Sequence, residues 1–142
     1  MQKFLVSISI VILSLFALPL WAQHEVLFPD SVGSKIRCNA TIEMSKGYVS
    51  GVCIIINDNG IIKGCLFNEF GISAIDFTYQ PGQKKVKLLS VIKMLNKWYI
   101  KRVLRKDLAQ VMENLAKGIS SYHDKKFKID YNFTILKDAT EE

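Results

Sequence analysis

From Lys35 to Met44 the chain alternates strictly: Ile36, Cys38, Ala40, Ile42 and Met44 are apolar, while Lys35, Arg37, Asn39, Thr41 and Glu43 are polar. A period of two puts the apolar set on one face, so the segment reads as a half-buried strand. After a Ser45-Lys46-Gly47 turn, residues 48–57 (YVSGVCIIIN) form a second strand. Its Val52 to Ile56 stretch is apolar at both parities, which predicts a central strand covered on both faces. Asp58-Asn59-Gly60 is a tight hairpin signal, because Asn and Gly accept positive φ. The third strand then runs from Ile61 to about Phe70, and its register depends on the loop. A three-residue loop sets Cys53 opposite Cys65, whereas a two-residue loop offsets them by one. Gly71 separates this strand from Ile72–Gln80. Gln80-Pro81-Gly82-Gln83 has the residues of a type II turn, and a short strand near Lys85 to Leu89 follows.

Beyond Leu88 the period changes. Leu88, Ile92, Leu95 and Tyr99 fall on one helical stripe, with Lys93, Lys97 and Lys101 stacked opposite, which predicts an amphipathic helix from near Ser90. Ile100 and Leu104 lie off that stripe, so a break is expected around residues 100–105. A second helix is expected from Asp107, an N-cap candidate with Gln110 three residues on. It would turn Leu108, Val111, Met112 and Leu115 inward and stop at Gly118. Residues 119–125 read as loop. Phe127, Ile129, Tyr131, Phe133 and Ile135 then alternate with polar residues as the clearest strand, before a polar tail at 138–142.

The ends and the composition bound the class. Met1 to Lys3 is a short positive start, Phe4 to Leu18 an apolar run, and Pro19-Leu20-Trp21-Ala22 ends on a small residue. Residues 1–22 therefore read as a secretory signal peptide cleaved after Ala22, so the chain is expected to be exported and periplasmic. The alternative is an inner-membrane anchor formed by uncleaved residues 4–22. No cysteine stands at the cleavage boundary, so lipid anchoring there is not expected. The expected organisation is an extension over 23–33 and a single β-rich domain over 34–137, with a core one domain of this length can bury. Three cysteines is an odd number for an exported chain; each lies in an apolar strand and reads as a buried small hydrophobe, with a Cys53–Cys65 bridge left open.

Catalytic chemistry finds no support in the pattern. The two histidines are His24, near the expected mature N-terminus, and His123, in a Ser120-Ser121-Tyr122-His123-Asp124 loop, and neither sits beside a nucleophile. Glu43, Glu69 and Asp76 read as solvated strand-edge carboxylates. Cysteine and histidine spacing fits no metal site, so no metal and no cofactor are expected. Asn39-Ala40-Thr41 and Asn132-Phe133-Thr134 match the glycosylation pattern but lie inside strands.

Net charge is +6, and its distribution carries more than its size. Lys84 to Lys106 holds nine basic residues and no acidic one, with Trp98 and Tyr99 in the middle. Lys93, Lys97, Lys101 and Arg105 would form a face for an anionic membrane, where each nearby cation is worth ~1 kcal/mol. The plainer reading is a solvated helix face with its aromatics in the core. Export argues against a nucleic acid partner.

The order of elements, with the Asn-Glu-Phe-Gly corner at 68–71, Ile75-Asp76-Phe77, and the basic segment KVKLLSVIKMLNKWYIKRVLRKDL at 85–108, resembles the outer-membrane lipoprotein carrier and receptor superfamily, the LolA and LolB type. The resemblance spans roughly residues 34–136 and rests on order and texture. It implies an α+β fold: a curved antiparallel sheet, or incomplete β-barrel, with two helices packed on or covering one face. It also implies an apolar hollow for acyl chains, to which Ile75, Phe77, Leu95, Trp98, Tyr99, Phe127, Ile129, Tyr131 and Phe133 are assigned. The chain departs from that family in its six predicted strands and in Arg37, which sits on the polar side of its strand. The expected function is non-enzymatic carriage of a lipid or acylated protein. The alternative is an envelope interaction protein with a closed core and a basic docking surface.

Overall fold

A computed structural model describes residues 28–136. The signal segment, the site after Ala22, the start of the extension and the polar tail lie outside the described residues. Seven strands form one antiparallel sheet: β1 (Lys35–Met44), β2 (Gly47–Asp58), β3 (Ile61–Asn68), β4 (Ser73–Gln80), β5 (Lys85–Val91), β6 (Ser121–Asp124) and β7 (Ile129–Ile135). Their order across the sheet is β5-β4-β3-β2-β1-β7-β6. One helix, α1 (Trp98–Ala116), lies against the sheet and touches β5 at one edge and β6 and β7 at the other. The sheet therefore curls around it as a half-barrel, the α+β curved antiparallel architecture expected.

The curl has local causes. Register shifts fall between Leu66 and Phe67 and between Asp76 and Phe77, and such bulges bend a strand and increase its twist. On the concave side Gly64 pairs with Phe77, and a Cβ there would lie 2.3 Å from the Phe77 ring. Only glycine leaves room for Phe77 to lie flat across β3. The Asn59-Gly60 turn has φ of 56° and 92° at its two residues, and Asp58 pairs with Ile61. The loop thus holds two residues, so Cys53 faces Leu66 and Cys65 faces Ile54.

Several expectations are corrected. Among the described residues there is one α-helix, not two. Residues 85–91 pair with β4 as far as Ile75 and Val91, so backbone pairing claims the start of the expected first helix. A 3₁₀ turn at Lys93–Leu95 and an extended Lys97 follow. The stripe Leu88, Ile92, Leu95, Tyr99 was thus a coincidence across strand, turn and helix. The true helical stripe is Leu104, Asp107, Leu108, Val111, Met112 and Leu115, with Ile100 and Val103 packed beside it. It runs without a break, and Asp107 is a buried mid-helix residue, not an N-cap. Lys93, Lys97 and Lys101 fall in the 3₁₀ turn, at the helix N-cap and within the helix respectively, so they do not form one helical ridge.

Other corrections are smaller. At Pro81–Lys84 the left-handed residue is Lys84 (φ 53°) and not Gly82, so the turn is a four-residue loop and not type II. β2 lies mid-sheet as expected, but only its concave face is covered: Ile56 is 38% exposed on the other. The loop expected at 119–125 contains β6, a strand of four mostly polar residues that pairs with β7. Phe127 belongs to the β6–β7 turn, and β7 begins at Ile129. Gly118 (φ 83°) ends α1 as expected, with the Ile119 N–H donating to the Asn114 carbonyl at 2.8 Å. The described part of the extension docks through Phe28 and through buried Asn57, whose amide donates to the Pro29 and Asp30 carbonyls at 2.9 and 3.1 Å.

Candidate functional site

The space between sheet and helix is filled. Ile75, Phe77, Tyr131 and Phe133 are all 2% exposed or less and pack in the core under α1, so these members of the expected hollow are core side chains. The open space lies instead at one end of the half-barrel. The β1–β2 turn (Met44, Ser45, Lys46, Gly47), the 3₁₀ turn (Met94, Leu95), the start of α1 (Lys97, Tyr99, Ile100, Val103), the β6–β7 turn (Phe127) and the first residue of β7 (Ile129) enclose a cleft of about 430 Å³. That size falls within the ~300–1,000 Å³ of ordinary small-molecule pockets.

Four residues assigned to the hollow from sequence, Leu95, Tyr99, Phe127 and Ile129, converge on this cleft. Trp98 does not line it, being 73% exposed, but stands edge-on to Tyr99 with ring centroids 5.7 Å apart. Met94, Tyr99 and Phe127 are also exposed while lining the cleft, so its mouth is an apolar rim in water. Met94 packs over Gly47, where a Cβ would make only an ordinary contact with the Met94 sulfur, at 3.7 Å. Phe127 is held by the Asp124 carboxylate, which accepts from the Lys126 and Phe127 N–H groups at 3.0 and 3.1 Å.

The charge around the rim is of one sign. Lys46 and Lys97 line the cleft and no lining residue is acidic. Lys93 is exposed one turn earlier, and the Lys126 ammonium stands 5.4 Å from the Phe127 ring centroid. Lys101 lines a neighbouring recess with Leu88, Leu89 and Asn96, and Arg105 is exposed further along the helix. None of Lys93, Lys97, Lys101 or Arg105 has an ion-pair partner among the described residues.

Behind the cleft lies a buried polar cluster. Asp107 is fully buried on the inner stripe of α1, and the Tyr131 hydroxyl donates to its Oδ2 at 2.8 Å. Its Oδ1 has no hydrogen-bond partner among the described groups. Burial, and then the neighbouring Asp124 carboxylate, push the Asp107 carboxyl up to about 7. Asp124 moves the other way: burial raises its pKa, but the contact with Asp107 and the backbone N–H groups of Phe127 and Lys126 outweigh it and hold it low. Asp107 thus keeps its proton well above the usual carboxylate range while Asp124 stays ionised beside it. Nothing in a single sequence announces this pair, although Asp107 does fall on the stripe that Leu104 and Leu108 define.

His123 pairs through Nδ1 with Asp130 across β6 and β7, on the convex face, with both side chains at least half exposed. Among the described residues no group of three or more His, Cys, Asp or Glu side chains converges as a metal site. No described helix is long and apolar enough to cross a membrane. No known protein family, no characterised protein and no solved structure matches this chain.

Proposed function

We propose that this chain is an exported, non-enzymatic binding protein that takes the acyl chain of a lipid or acylated protein into the end cleft. The observation that carries this reading is the cleft itself: an apolar, solvent-open recess of about 430 Å³ with an aromatic and methionine rim and lysines as its only charged lining. An apolar wall accepts methylene groups at ~0.8 kcal/mol each. Lys46 and Lys97, with Lys93 and Lys126 near them, give the anionic end of such an amphiphile its counter-charge. The same end suits the surface of an anionic membrane, because exposed Trp and Tyr favour the interface. In this account the acyl site is the end cleft and not the sheet–helix interior.

The second reading, an envelope protein that docks through its basic end without taking up lipid, draws on the filled interior. Trp98 separates the two, being the one tryptophan outside the proposed signal segment. Its emission is followed during titration with a monomeric anionic lysophospholipid and, separately, with anionic vesicles. Acyl binding predicts a saturable blue shift with the monomer that is lost in Val103→Phe, a variant that fills the cleft. A response to vesicles alone, unchanged in Val103→Phe, favours docking. No response to either removes both readings.

A further inference from the structure

The two-residue β2–β3 turn offsets Cys53 from Cys65, while the β1–β2 hairpin gives Cys53 a different partner. Cys38 on β1 and Cys53 on β2 stand directly opposite each other in the antiparallel register. Both are completely buried on the concave face, so their side chains leave the sheet on the same side. Opposed residues in an antiparallel pair have Cα atoms ~4.5–5.5 Å apart. That lies within the ~4.4–6.8 Å a disulfide spans. Cys65 pairs with Ile54 and so belongs to the convex face, where its thiol meets the Ser73 hydroxyl at 3.5 Å. Of the three thiols, Cys38 and Cys53 are the one pair that the sheet places for bridging.

We propose that Cys38 and Cys53 are a disulfide site, oxidised as the chain folds in a compartment that supplies a disulfide oxidant, with Cys65 left as the free thiol. Both are thiols in the structure described, which is the reduced form. One thiolate attacks the oxidant's disulfide and releases a thiolate; the second attacks the mixed disulfide and releases the other. One S–S bond forms in the protein, one breaks in the oxidant, and the two protons and two electrons leave with the oxidant's thiols. The order of events follows from burial. The folded molecule exposes neither sulfur, and burial pushes the Cys38 thiol up to about 12 and Cys53 well above its usual range. Oxidation therefore precedes the closing of the concave face by α1, at the stage of the β1–β2 hairpin. The bridge would pin the two strands whose turn, Met44 to Gly47, forms one wall of the cleft.

The test uses the full chain, reduced and unfolded, then refolded in a glutathione redox buffer. Far-ultraviolet circular dichroism reads the fold; alkylation in denaturant with peptide mapping reads the thiols. The proposal expects one alkylatable thiol, Cys65, and a linked Cys38–Cys53 peptide pair. The same buffer added to protein already folded in its reduced state should leave three alkylatable thiols. In Cys38→Ala, Cys53 and Cys65 should both stay alkylatable after refolding. Recovery of the fold with three free thiols overturns the proposal. So does a bridge that includes Cys65, or a fold regained only when reductant is present.

Discussion

Asp107→Asn tests the buried acid pair through its pH dependence. An unfolded chain ionises Asp107 near 3.8, whereas the folded chain keeps the proton up to about 7. Between those values the folded state binds more protons than the unfolded one, so this group's contribution to stability is full below 3.8 and is lost as pH rises to about 7. At ~1.4 kcal/mol per pKa unit, the loss at pH 8 is at most about 4 kcal/mol. The depressed pKa of Asp124 acts in the opposite direction only below its ordinary 3.8, outside this interval; partial solvent screening instead discounts the figure to a working range of about 2–4 kcal/mol. Asparagine imitates the protonated acid at every pH: its oxygen can accept from the Tyr131 hydroxyl and its NH₂ can donate to Asp124. Urea unfolding should therefore place the variant within about 1 kcal/mol of the parent near pH 4 and about 2–4 kcal/mol above it at pH 8. Its stability should also be flatter across that interval. A variant less stable than the parent at pH 8, or one with the same pH slope, would refute the raised pKa of Asp107.

Three further outcomes follow from packing and exposure. Gly64→Ala drives a Cβ into the buried Phe77 ring and should lower stability by about 1–3 kcal/mol in urea unfolding; a neutral result would mean that Phe77 does not cross β3 as described. Trp98→Ala should change stability by less than about 0.5 kcal/mol, because the side chain is largely in water, while weakening association with anionic vesicles in a sedimentation assay. Lys46→Glu combined with Lys93→Glu and Lys97→Glu should leave the thermal midpoint nearly unchanged and remove vesicle binding at low salt, mimicking added salt because exposed charges are screened over ~8 Å at physiological ionic strength. Binding that survives this triple reversal would show that the basic rim is a solvated surface only.

Where one face of an element is buried against a continuous core, the sequence carries its period, and β1 and β7 were legible for that reason. The Asn59-Gly60 turn was equally clear, and its two-residue length settled the cysteine register. The start of α1 was not, because its N-cap is Lys97, which makes no side-chain capping bond and so leaves no local signal. Val91 joined a strand because β4 offered it backbone partners from another part of the chain, which no local pattern reports. The cleft was legible only in fragments. Leu95, Tyr99, Phe127 and Ile129 come from the 3₁₀ turn, α1, the β6–β7 turn and β7 and were assigned as apolar, but their separation from Phe77 and Phe133 depends on how the sheet curls. Asp107 was misplaced for the same reason as α1: with the wrong helical stripe, a core carboxylate reads as a cap.

The methionine methyl groups offer the most direct test of the end cleft as the acyl site. Met44 and Met94 line it, whereas Met112 is fully buried between α1 and the sheet. In a methyl-resolved NMR titration with a monomeric anionic lysophospholipid, the account predicts saturable shifts of the Met44 and Met94 resonances while Met112 stays in place. Shifts at Met112 that match theirs would put the lipid in the sheet–helix interior, and no shift at Met44 or Met94 would contradict the cleft as a binding site.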